Sequence, residues 1–272
     1  MIWNKSEIYD ALDESAGPLL DPQIKAFRQG VRPVWINEQI KQLRQRALQY
    51  LDFPLPACSY SLFRLYWDTG DRSSYQEPYF ERRSRLFVFS ILLWLEPNTP
   101  LWKTALEDTM WAICEEPFWC LPAHFFDVNG NSLPFSLYNS QLDLFCCETA
   151  FALSEALALC RSHLESKVVL RTESQIETRV FTPFTQCPMF RFERMANNWS
   201  GVCASAIGGA ALHLIQDARA YGLALSVSFF IGFISFKLRY GRYLCRGYRI
   251  LDLWLWIFHL LWRSSLLRTQ KS

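Results

Sequence analysis

No CxxC pair occurs among the nine cysteines of this 272-residue chain. That removes zinc knuckles and dithiol redox motifs from consideration. The thiols stand at 58, 114, 120, 146, 147, 160, 187, 203 and 245, most of them inside apolar runs where cysteine acts as a small hydrophobe. The first residues, Met1-Ile-Trp-Asn-Lys-Ser-Glu, lack a basic segment followed by an apolar one, so no secretory signal is expected and a reducing, cytoplasmic setting is. No fixed-period repeat is present, which disfavours ankyrin and tetratricopeptide arrays. Residues 219–272 hold no glutamate, no proline and one acid, Asp252, against nine Lys and Arg, whereas residues 1–218 hold 19 Lys and Arg against 25 Asp and Glu. Two compositions therefore share a chain whose net charge is only +2. The acidic balance of the larger part argues against a nucleic-acid partner. Half the residues are apolar and 16% aromatic, which excludes a disordered chain and supports a core of one or two domains.

Convincing period-2 segments are few, and the larger part reads as helices joined by Pro-containing turns. Residues 34–51 carry apolar positions near helical spacing in a polar background and stop before Pro54, as an amphipathic surface helix does. Residues 83–95 are apolar enough to lie deep in a core and end at Glu96, Pro97 and Asn98. Thr99 then stands at a cap position with Pro100 as first helical residue, ahead of Trp102, Ala105, Thr109 and Ile113 at helical spacing. Ser140 and Asp143 resemble a capping box before a helix over 142–164. Further helices are expected over 165–184 and 197–215. The fold class is all-α, and successive helix pairs with short turns suggest a toroid or solenoid.

Three polar and aromatic clusters fall near the expected helix ends. The first comprises Thr69, Gly70, Asp71 and Arg72 with Tyr79, Phe80, Glu81, Arg82 and Arg83. Adjacent arginines either bind a ligand carboxylate bidentately or pair internally with Asp68, Asp71 or Glu81. The second runs from Trp119 to His124 through Pro122, and its histidine is either a satisfied structural group or a functional one. The third is Asn197, Asn198 and Trp199, preceded by Arg191 and Arg194 and opening a helix rich in small residues. A helix cap explains one asparagine, not both.

The order YFxRR, WxxPAH, a Leu-Asp-Leu-Phe helix and NNWxxVCxxxIxxAAL resembles the heparinase II/III family of polysaccharide lyases over roughly residues 32–217. The resemblance implies a partial (α/α) toroid of antiparallel helix pairs over 1–217, without the β-sandwich that follows the toroid in that family. It implies β-elimination on a uronic-acid glycan, an acidic polysaccharide partner, and neither a metal nor another cofactor. Removal of the C5 proton builds charge on the C6 carboxylate, which uncharged donors stabilise. Asn198, or Asn197, matches the family's neutralising asparagine. Trp199 and Trp119 would stack on sugar faces, His124 would position substrate or relay a proton, and Arg83 and Arg194 would bind substrate. Many relatives carry histidine where Trp199 stands.

The family's acid/base tyrosine lies in a downstream segment resembling DGxxxEGxxYWxYG, which this chain lacks. At the expected distance it has a basic, tryptophan-laden tail, residues 218–272. Tryptophan has the single codon TGG, so reading one base later turns Trp254, Trp256 and Trp262 each into glycine. With wobble bases assigned freely but consistently, residues 242–265 can then encode a YWxYG order. The tail therefore reads as out of frame from about residue 217, leaving an inactive or impaired enzyme. The alternative is a non-catalytic carbohydrate-binding protein or one anchored through residues 220–236, an uncharged stretch at the short limit for a membrane span and flanked by Arg219, Lys237, Arg239 and Arg242.

Overall fold

A computed structural model describes residues 30, 34–127, 129–186, 190, 192 and 198–215. The tail over 218–272, including the stretch 220–236, lies outside the described residues. The described chain is 77% helical and, among the described residues, contains no strand, so the fold is all-α. One isolated antiparallel bridge joins Phe126 to Ser132. Among the described residues no helix is long and apolar enough to cross a membrane.

Helix α1, Val34–Leu51, has the expected bounds and buries only Ile40 and Ala47, as a surface helix should. Helix α2, Tyr60–Thr69, has no counterpart among the expected helices. It is capped by Ser59, whose hydroxyl accepts from the Leu62 N–H, and it ends at Gly70, whose φ of +78° suits a residue without a Cβ. Helix α3, Ser73–Leu95, is ten residues longer at its start than its apolar run. Asp71 holds that start: Oδ1 accepts from the Ser74 N–H at 3.2 Å and Oδ2 from the Ser74 hydroxyl at 2.5 Å. The extension contains Pro78, which removes one main-chain hydrogen bond, and it places Tyr79, Arg82 and Arg83 inside the helix rather than at its end.

Helix α4, Pro100–Cys114, starts after Thr99 as expected, although the Thr99 side chain makes no capping bond. Two short 3-10 turns follow, Pro122–His124 and Phe135–Ser140. Helix α5 is Leu144–Cys160, and its cap is Asp143, not Ser140. The Ser140 hydroxyl instead donates to the Leu137 carbonyl at the end of the preceding turn. Helix α6, Ser166–Ile176, passes through a π turn, Glu177–Phe181, into α7, Thr182–Gln186. Helix α8 is Asn198–Leu214.

Helix α3 is central and packs against α1, α2, α4 and α5, while α8 lies along α5. Small side chains make the second contact close. Cys147, Ala150 and Ala156 are buried on α5, and Cys203, Ala206, Ala210 and Ala211 on α8. Of the seven described cysteines, six are buried and serve as apolar packing groups.

Candidate functional site

The site is built around the first turn of α5. Asp143 has extended backbone, φ −123° and ψ 179°, so its side chain reaches over the helix terminus. Its Oδ1 accepts from the Cys146 N–H at 2.6 Å, the capping bond. Oδ2 accepts from the Leu121 N–H at 3.2 Å and from His124 Nδ1–H at 2.6 Å. The carboxylate is 0% exposed, and these three donors compensate for its burial. One acid thereby caps a helix, fixes the 119–124 loop and orients an imidazole.

His124 is nearly buried, with 9% of its surface exposed. Its ring stacks on Phe145, with centroids 5.6 Å apart and planes 6° from parallel, and meets Trp199 edge-on at 4.7 Å. The exposed Arg72, last residue before α3, directs Nη2 to His124 Nε2 at 3.4 Å. Arginine only donates, so Nε2 accepts and the ring carries its proton on Nδ1. The basic nitrogen thus lies on the Arg72 side, and the protonated one faces the buried acid. Residues from all three sequence clusters, Arg72, His124 and Trp199, meet at one ring. Trp199 is the second residue of α8, which places the backbone of Asn198 at the same end. Asn197, Arg191, Arg194 and the Asn198 side chain lie outside the described residues.

Two expected substrate contacts are corrected. Trp119 is 1% exposed, its indole N–H donates to the Ile113 carbonyl at 2.9 Å, and Arg179 sits 5.0 Å from its ring centre. A ring buried this way has no face to offer a sugar. Arg83 does make a bidentate carboxylate pair, but the acid is Glu116 of the same chain: Nη1 to Oε1 at 2.6 Å and Nη2 to Oε2 at 2.7 Å. The partner was expected among Asp68, Asp71 and Glu81. Arg82 joins the same carboxylate at 3.2 Å, and Glu81 pairs with Arg85. Arg83 also lies 3.4 Å from the Tyr79 ring centre and donates to Thr149 at 3.2 Å, so every part of its guanidinium is committed.

Tyr79 is anchored to this loop. Its hydroxyl donates to the Trp119 carbonyl at 2.8 Å and lies 3.0 Å from the Thr149 hydroxyl. Complete burial holds its pKa well above the usual phenol value, with Arg83 opposing that shift.

Asp143 and Arg72 were missed as site residues. Asp143 was visible only as part of a capping pattern, and Arg72 only as one member of a polar cluster. Among the described residues no group of three or more His, Cys, Asp or Glu is placed to hold a metal. The class that fold and site define is an all-α protein with a buried Asp–His pair bordered by an arginine and a tryptophan. No protein-family model matches the chain, and no curated protein does.

Proposed function

We propose that the described helices belong to an (α/α) toroid of the heparinase II/III type and that the His124 face binds a uronic-acid glycan. The observation that supports this reading is the meeting of His124 and Trp199, 75 positions apart in the sequence, over a buried Asp143. Trp199 supplies an aromatic face for a sugar ring. Asn198, or Asn197, donates to the C6 carboxylate as charge builds on it, and the Arg72 cation reinforces that donor. With Arg72 drawn from Nε2 to the C6 carboxylate, the freed His124 Nε2 takes the C5 proton while Asp143 stabilises the imidazolium. The C–H electron pair becomes the C4–C5 double bond, and the C4–O bond breaks.

The departing oxygen then needs a proton, which a phenol supplies in that family. Tyr79 is spent on its buried hydrogen bonds, and Tyr75 is buried as well. Without such an acid the elimination loses about 10²- to 10⁴-fold. The reading is therefore a glycan-binding lyase scaffold with impaired turnover, its tail over 218–272 read out of frame. A non-catalytic carbohydrate-binding protein is the second reading, and the engagement of Tyr79 favours it equally.

Incubation with heparan sulfate, alginate or hyaluronan, followed by the ultraviolet absorbance of the unsaturated uronide, tests the proposal. Slow product formation that His124→Ala abolishes supports the impaired lyase. Binding with no product at any enzyme concentration supports the second reading. Turnover at the rate of an intact lyase contradicts the impairment. Sequencing the DNA after the codon for Asp217 tests the frame: a stop, or no YWxYG codons in the alternative frame, removes that part.

A further inference from the structure

A second polar site is lined by none of the residues around His124. A cleft of about 570 Å³ opens between the 3-10 turn Phe135–Ser140 and the π turn Glu177–Phe181. That volume is within the range of small-molecule sites, about 300 to 1,000 Å³. Its lining is almost wholly hydroxyl and amide: Asn139, Ser140, Gln175, Thr178 and Gln186 stand around one cation, Arg179. Neutral donors and acceptors in this density suit a polyhydroxyl ligand, because each sugar hydroxyl both donates and accepts.

Arg179 is unlike the other buried arginines of the core. Arg82, Arg83 and Arg85 each pair with a glutamate. Arg179 donates Nε–H to the Gln175 side chain at 2.7 Å and Nη2–H to the Cys114 carbonyl at 3.2 Å, both neutral acceptors. Its Nη1 is buried with no hydrogen-bond partner. The Trp119 ring fixes the guanidinium from one side at 5.0 Å. The π turn adds a residue to the helix at this point and carries Arg179 into the cleft lining. A half-buried cation lining the cleft, held by neutral acceptors and paired with no internal carboxylate, is preorganised for an external one.

We infer that this cleft is a binding site for a carboxylated sugar, with Arg179 holding the carboxylate and the surrounding amides and hydroxyls reading the ring hydroxyls. The site stands apart from His124 and does not require elimination chemistry there.

The test is calorimetric titration of the full chain with tetragalacturonate and, as the neutral counterpart, maltotetraose. The wild type is expected to bind the acidic tetrasaccharide at least tenfold more tightly than the neutral one. Arg179→Gln should abolish that preference. Asn139→Ala and Thr178→Ala, at exposed lining positions that leave the core untouched, should weaken binding of the acidic probe several-fold. His124→Ala should retain the Arg179-dependent component. Equal affinity of wild type and the Arg179, Asn139 and Thr178 variants for tetragalacturonate overturns the site. So does equal affinity of the wild type for the two probes, or binding of neither. Binding lost in His124→Ala but intact in Arg179→Gln overturns the cleft and leaves the His124 reading standing. The converse result supports the cleft and counts against the His124 reading.

Discussion

A Cβ placed on Gly209 would lie 2.5 Å from Cε2 of Phe151, closer than any real side-chain contact. The α8 backbone at this point therefore rests directly on the α5 aromatic ring. That close approach seats α8 against α5, and α8 carries Trp199 to His124.

Gly209→Ala should thus destabilise the protein despite alanine's better helix propensity. Overpacking costs about 1–3 kcal/mol, against a propensity gain of about 1 kcal/mol. Net loss in urea denaturation, with a shift in Trp199 fluorescence, is the expected result. Unchanged stability would show that Phe151 swings aside freely.

Asp143→Ala should be among the most damaging single changes. It strips a helix cap and leaves the buried Leu121 N–H without its acceptor, together worth about 3 kcal/mol. Asp143→Asn keeps one acceptor oxygen, enough for the Cys146 cap or for the Leu121 and His124 donors but not for both, and should cost about 1 kcal/mol less than the alanine variant. Equal loss in both variants, measured by chemical denaturation, would argue that the charge itself holds the loop.

The Arg83–Glu116 pair is internal, so its effect should be on folding before binding. Glu116→Gln leaves two buried guanidinium groups without their charge partner, a loss of about 3 kcal/mol or more. Thermal melting gives the stability change. A variant of native stability that failed only in glycan binding would return Arg83 to the substrate-binding role.

Glu155 predicts a pH dependence. Burial raises its pKa from the ordinary 4.5 to about 7. Between those values the folded state holds more protons than the unfolded one, so stability falls as pH rises from 4.5 to 7 and is level above. Glu155→Gln should remove this part of the slope and be more stable than wild type above pH 7 by roughly 2 kcal/mol, its partial exposure allowed for. Parallel stability profiles for the two proteins would exclude Glu155 as the source.

Local signals were the legible ones. The polar-apolar spacing of Val34–Leu51 gives that helix its bounds, and Thr99 with Pro100 gives the start of α4. The start of α3 was hidden, because Gln76, Glu77 and Pro78 interrupt its apolar pattern and the anchoring bonds come from Asp71. Ser140 was read as the cap of α5 because a serine three residues before an acid fits the capping-box spacing, yet the acid itself fills the role. Arg83 was legible as a bidentate carboxylate binder, but nothing local distinguishes a ligand's carboxylate from Glu116, 33 positions away. The contact of His124 with Trp199 is tertiary, and no periodicity within either segment contains it. The Arg179 cleft escaped for a similar reason, since its lining comes from two segments about forty positions apart.

The central claim is that the ring of His124, backed by Asp143 and edged by Trp199, faces a bound uronic-acid sugar. Nuclear magnetic resonance of the histidine side chains during titration with an alginate tetrasaccharide tests it most directly. The account predicts that the His124 Nε2 signal shifts saturably with ligand, while the Nδ1 proton stays bonded to Asp143. A His124 signal that does not move at ligand concentrations saturating the protein would contradict it.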